Sequence, residues 1–316
     1  MNIAFLFPGQ GSQVVGMGRE LVNLYPVAQE TFDEADEALG FKLSQLCFEG
    51  PENQLKLTEN TQPAILTVSV ATARVLQEKG FTPRFTAGHS LGEYSAHVAA
   101  GTLDFQDAVR TVRNRGKYMQ EAVPVGQGAM AAILGLAAER VQDACNEISD
   151  HGVCQPANIN SPEQVVISGS APLVERAGQL CKDMGAKRAI MLPVSAPFHC
   201  ALMQPARDRL SPDLQAIKFF ESDCPVVCNV DAEPVTHTDA ARDALIRQVT
   251  GTVQWVRCIQ KLVNLGAAMF VEVGPGKVLS GLMRQIDRSK LTMNVEDEAS
   301  LQKVVNYLEQ QQAGVA

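Results

Sequence analysis

Strand-like and helix-like runs alternate along most of this chain, and the grammar changes near Gly126. Such alternation builds a mainly parallel sheet, because each crossover helix must cover a face of the sheet it leaves. NIAFLF, residues 2–7, reads as a strand that breaks at Pro8-Gly9. Residues 63–79 predict a helix, with Thr61 as N-cap, Pro63 in its first turn and Gly80 as its stop. FTAGHS is a short strand, 91–100 a small-residue helix ended by Gly101, and Asp104 caps a helix reaching about Ala122. After Gly126 the order becomes β-α-β-β-α-β, which is that of a ferredoxin-like unit. Parallel grammar then resumes with PVVCNV and AAMFVEV, each followed by a helical segment, and the chain closes in a polar helix with a QQAGVA tail. The expectation is an α/β core from residues 1–125 and 197–316, interrupted by a small subdomain at 126–196.

Bulk properties narrow the function classes. With 46% hydrophobic and 20% charged residues the 316-residue chain has ordinary globular composition. A formal net charge of -8 argues against nucleic acid as a partner, and an anionic substrate needs a local Lys or Arg. MNIAFLFPGQG lacks a basic signal-peptide start, and no apolar run is long enough to span a membrane. The eight scattered cysteines then read as reduced core thiols, so a cytoplasmic protein is expected. Cys224 and Cys228 share a CxxxC spacing, but no second pair completes a zinc site, and no metal is expected.

Gly88-His89-Ser90-Leu91-Gly92 is a G-x-S-x-G motif between a strand and a helix. In that context the sharp turn presents the serine oxygen at a helix N-terminus, where negative charge is favoured. The plainer reading is a turn serine that caps the helix. A nucleophilic serine needs a base. Of the five histidines, His89 should point away from the serine oxygen, His97 is packed or on the surface, and His151 and His237 lie in polar turns. His199 follows the VSAPFH loop where the insert hands back to the core, the kind of junction at which clefts form. It is the candidate base, against a helix-capping histidine. Asp208, Asp213, Asp231 and Asp239 are carboxylates in triad order, and none has supporting context. The site is a dyad, or its third group is not a carboxylate.

The helix FQDAVRTVRNRGKYMQEA buries Phe105, Ala108, Val109, Val112, Gly116 and Met119 on one stripe. Arg115 falls at the edge of that stripe. It is either a snorkelling or salt-bridged arginine or one aimed into a cavity to bind a carboxylate. Gly9-x-Gly11 after a strand lacks the third glycine of a dinucleotide loop at the required spacing.

Together, FPGQGSQ at 7–13, AGHSLGEYSA at 87–96, Arg115 in RGKYMQEA, PFHC at 197–200 and EVGPGKVL at 272–279 carry a resemblance over residues 1 to about 290. The chain resembles malonyl-CoA:acyl-carrier-protein transacylases, and the acyltransferase domains of polyketide synthases related to them. The resemblance implies an α/β-hydrolase-like core with a ferredoxin-like insert. It implies Ser90 as nucleophile, His199 as base and a main-chain carbonyl at Gln248 orienting that histidine. Gln10 and Leu91 match the oxyanion-hole amides, Arg115 the malonyl-carboxylate ligand, and Asn160 a polar residue lining the cleft. PFH stands where many relatives carry PSH. The implied reaction is ping-pong malonyl transfer from coenzyme A thioester to acyl carrier protein for fatty-acid synthesis, with no cofactor and no metal. The implied alternatives are a discrete polyketide-synthase acyltransferase and a serine thioesterase or hydrolase. A monomer is expected. Basic candidates for carrier docking are Lys182, Lys187 and Arg188, or Lys277, Arg284, Arg288 and Lys290.

Overall fold

The computed structural model describes residues 2–194 and 196–313; Ser195 of the VSAPFH loop and the last three residues of the tail lie outside it. Ten strands form two sheets among the described residues. The larger uses β1 (Ile3–Phe7), β2 (Phe85–Gly88), β7 (Val226–Val227), β8 (Pro234–Val235), β9 (Met269–Val273) and β10 (Leu291–Val295) in the order β10-β9-β1-β2-β7-β8. Every neighbouring pair is parallel except β7 with β8. The smaller uses β3 (Gly128–Leu134), β4 (Cys154–Ser161), β5 (Gln164–Ser170) and β6 (Arg188–Met191), antiparallel throughout, in the order β4-β5-β3-β6.

β1 lies at the centre of the large sheet and is buried along its whole length. Its side chains alternate across the pleat. Ile3, Phe5 and Phe7 join the core built on the long helix Thr58–Glu78, whereas Ala4 and Leu6 join the one around Trp255, Ile259 and Leu262. The small sheet divides in the same way. Ala131 and Ile133 of β3 pack under the helices Ala138–Asn146 and Ala171–Asp183, while Met130 and Ala132 face a separate cluster with Leu192, Val194 and Phe198. That second face forms one wall of the cleft described below. The small sheet meets the core at a short seam between β4 and the segment just before Trp255, where the Ile159 N–H donates to the Val253 carbonyl at 2.9 Å and the Val253 N–H to that of Ala157 at 2.8 Å.

The structure departs from the expected elements in several places. The helix expected from residue 63 starts at Thr58 and carries Pro63 inside it. Thr61 caps nothing; its hydroxyl donates to the Leu55 carbonyl at 2.5 Å and ties the helix to the preceding turn. Almost every side chain from Thr58 to Leu76 is buried, so the segment had no wet face to mark its start. Residues 19–55, not read as elements, form four helices, the longest of them Pro26–Leu39, and LTMNV forms the edge strand β10. PVVCNV pairs over two residues only, and the antiparallel β8 precedes the next helix, Thr238–Gln248.

Candidate active site

β2 ends at Gly88 and the helix Gly92–Ala99 begins four residues later, with Ser90 on the turn between them at φ +52°. A non-glycine residue in that left-handed region is strained and persists only where its surroundings fix it. The flanking glycines show how tightly they do so. A Cβ on Gly92 would lie 2.0 Å from the Phe7 carbonyl oxygen, and one on Gly88 would lie 1.9 Å from the Gly92 backbone. Asn229, just beyond β7, pins the turn from the side. Its Oδ1 accepts from the Ser90 N–H and its Nδ2 donates to the Gly88 carbonyl, both at 2.7 Å.

His199 stands across from the serine, with Nε2 at 2.6 Å from Ser90 Oγ and Nδ1 at 2.9 Å from the Gln248 carbonyl oxygen. A carbonyl only accepts, so Nδ1 carries the ring proton and Nε2 is left to accept from the serine hydroxyl. Burial, followed by the nearby Arg115 charge, pulls the His199 pKa down to about 3. The imidazole is therefore neutral near pH 7. Each of the four aspartates considered as a third member is engaged elsewhere: Asp208 with Gln204, Asp213 with Asn114 and Tyr118, Asp231 with Arg247, and Asp239 with Arg242. The remaining histidines are accounted for too. His89 bonds Asn160 and packs against Trp255, His97 is wholly buried, and His151 and His237 are exposed.

Arg115 lies deeper than the edge of its stripe suggested, at 1% exposure. Its Nη1 donates to Gln62 Oε1 at 2.8 Å, and its Nη2 donates to Gln248 Oε1 at 3.0 Å and Ser90 Oγ at 3.1 Å. All three acceptors are neutral, and no carboxylate pairs with it within 4.0 Å among the described residues. Burial pushes its pKa down, but a guanidinium starts so high that it stays charged. A buried cation held by neutral groups beside a serine could hold a small anion.

These groups open on a cleft of about 140 Å³ bounded on the opposite side by Met130, Leu192, Val194 and Phe198. Gln10 and Leu91 line it as well. Neither of their main-chain N–H groups donates to another group among the described residues. The loop carrying Gln10 reaches the elbow because residue 9 is glycine: a Cβ there would lie 2.5 Å from the His89 carbonyl oxygen. Asn160 does not line this space. It stands behind His89, with Oδ1 at 2.8 Å from Nε2, and Asn158 of the same strand lines the cleft instead. Gln62, Asn229 and Glu93 are the site residues that sequence reasoning missed; only Glu93 carried a signal, its place directly behind the serine motif. Among the described residues no cluster of potential ligands could hold a metal ion.

The family model for the acyl transferase domain matches residues 4–314. A malonyl CoA-acyl carrier protein transacylase of Bacillus subtilis is 50% identical over 98% of this chain and 98% of its own length. That of Escherichia coli strain K12 is 54% identical over 90% of this chain and 93% of its own. Among solved structures, a malonyl-transacylase in complex with a type II polyketide acyl-carrier protein superposes with a TM-score of 0.95 at 47% identity, covering 97% of this chain and 100% of that one. A strained serine beside a neutral histidine and a buried arginine is thus found on a chain that matches these proteins nearly end to end, and the chain belongs to the malonyl-CoA:acyl-carrier-protein transacylase family.

Proposed function

We propose that this protein transfers the malonyl group of malonyl-CoA to the phosphopantetheine thiol of acyl carrier protein, through a malonyl ester on Ser90. The observation that carries this reading is Arg115, a buried guanidinium with neutral ligands 3.1 Å from the Ser90 oxygen that His199 is placed to deprotonate. His199 Nε2 takes the hydroxyl proton as Oγ attacks the thioester carbonyl. The oxyanion rests on the Gln10 and Leu91 amides; removing one such donor typically costs about a hundredfold or more in turnover. Coenzyme A leaves with the proton from His199, and the ester remains. The carrier thiol then gives its proton to His199 and attacks the ester, and Ser90 Oγ recovers a proton as it departs.

Specificity follows from Arg115. Malonyl differs from acetyl by one carboxylate, and an acetyl group leaves the arginine unmatched. The chemistry calls for no metal or cofactor. The strand order of the small sheet supports the ferredoxin-like reading of residues 126–196, and the parallel strands support an α/β-hydrolase-like core from 1–125 and 197–316. In this reading the enzyme acts as a cytoplasmic monomer, and among the described residues no helix is long and apolar enough to cross a membrane.

Supply of fatty-acid synthesis is the main reading. The neighbour bound to a polyketide carrier favours a second one, service to a polyketide synthase. The test is acylation of purified carrier proteins with malonyl-, methylmalonyl- and acetyl-CoA. Malonyl-selective transfer to a fatty-acid carrier is expected. Release of free malonate at the same rate with and without carrier would instead mark a thioesterase.

A further inference from the structure

His199 leans on a main-chain carbonyl, yet a carboxylate is buried one layer behind it. Glu93 sits in the first turn of the helix Gly92–Ala99 with no exposed surface. Its Oε2 accepts from the Asn229 N–H at 2.9 Å and from Gln248 Nε2 at 2.7 Å. Both donors belong to the site. Asn229 holds the Ser90 amide, and Gln248 turns its carbonyl to His199, its Oε1 to Arg115 and its Nε2 also to the Ser90 carbonyl. One side-chain amide therefore links the Glu93 carboxylate at one end to the Arg115 guanidinium at the other. The second carboxylate oxygen, Oε1, has no hydrogen-bond partner among the described residues. A half-matched buried carboxylate is a poor choice for packing, since a neutral group of the same shape avoids the desolvation cost.

We propose that Glu93 is a positioning residue for this reaction: it clamps Gln248 and Asn229, and through Gln248 it supplies the counter-charge of Arg115 in the free enzyme. The proposal rests on the malonyl-transfer reading. Its consequence is a coupling. When a malonyl carboxylate reaches Arg115, two carboxylates share one guanidinium, and Glu93 is driven toward its protonated form, taking one proton from solution. Departure of the malonyl group to the carrier returns that proton. The charged and titratable groups around Glu93 agree with such a role. Burial raises its pKa to about 7, against the pull of Gln248, Asn229 and Arg115, while Asp231 pushes the other way. Tyr94, Cys228 and Cys258 also face it, and burial pushes all three above their ordinary values, so they stay neutral. His199 titrates far lower, so a transition near neutrality is not its own.

The test is the pH dependence of Ser90 malonylation and of steady-state transfer, measured across about two pH units on either side of neutrality. Wild type should show a transition near pH 7, with KM for malonyl-CoA falling on the acid side, where Glu93 is protonated. Glu93→Gln keeps an acceptor for both donors and removes the charge. It should flatten the profile and lower KM for malonyl-CoA, because Arg115 is then uncompensated. Glu93→Ala leaves two buried donors unmatched and should lose about tenfold or more in kcat. Superimposable profiles and constants for wild type and Glu93→Gln would overturn the proposal. So would a flat wild-type profile, which needs no variant to fold. Failure of the malonyl-transfer reading looks different: wild-type Ser90 then takes up no malonyl group at any pH.

Discussion

The two walls of the cleft are built on opposite principles. On the large-sheet side, Ser90, Glu93, Arg115, Asn229 and Gln248 form one hydrogen-bonded set in which most polar atoms have assigned partners. On the small-sheet side, Met130, Leu192, Val194 and Phe198 give the cleft a mainly apolar surface, with Asn158 as its one amide. The first wall fixes reacting atoms through directional contacts and strained backbone, and it tolerates little. The second excludes water and shapes the space for the acyl group through contacts that depend on volume, which substitute more freely. Chemistry and acyl fit are therefore separable in this molecule.

Substitutions can break that separation or sharpen it. The largest effect is expected at the proposed base. His199→Ala should lower transfer by on the order of 10⁴-fold with the fold retained by circular dichroism, as for other nucleophile–base pairs. Arg115→Ala comes next. It should cost about a hundredfold in kcat/KM for malonyl-CoA while acetyl transfer holds or rises, read as the ratio of the two substrates. Equal losses for both would return Arg115 to a structural role. Gly92→Ala tests the intolerance of the same wall at the backbone. Its Cβ would lie 2.0 Å from the Phe7 carbonyl, and a loss of about 3 kcal/mol or more is expected, seen as a lower midpoint of thermal unfolding.

A fourth prediction concerns stability and pH. The Glu93 pKa rises from 4.5 to about 7 in the folded protein, so ionising it opposes folding. Its contribution is full below pH 4.5, declines as the pH rises toward 7, and is constant above that. The stability difference between Glu93→Gln and wild type should therefore shift in favour of the variant across that window; a constant difference, measured by denaturant titration, would contradict it. The smallest effect is expected on the opposite wall. Leu192→Ala removes a half-buried side chain and should change malonyl transfer by less than about threefold, while bulkier acyl groups are accepted more readily. A loss as large as that at Arg115 would end the distinction between the walls.

How much of this was legible in the sequence also divides along physical lines. The strands of the small sheet and the helices of the motif announced themselves, since alternation, caps and glycine stops are local signals. The helix Thr58–Glu78 hid its start because burial on every side erased its amphipathic pattern. Ser90, His199 and Arg115 could be singled out because few residue types do the chemistry proposed for them, and the fold brings all three together. Gln62 and Asn229 were not: amides have no diagnostic spacing, and Gln62, Asn229 and Gln248 come together only through the fold. The Glu93 carboxylate was overlooked because it bonds Gln248 rather than the histidine itself.

Ser90 as a holding point for a malonyl group destined for a thiol is the central claim, and intact-protein mass spectrometry tests it most directly. Mixed with malonyl-CoA alone, the enzyme should carry one malonyl adduct on the peptide containing Ser90, and Ser90→Ala should carry none. Adding holo acyl carrier protein should discharge the adduct far faster than buffer does, with the malonyl group recovered on the carrier. An adduct on Ser90→Ala, or discharge to free malonate at a rate indifferent to the carrier, would contradict the account.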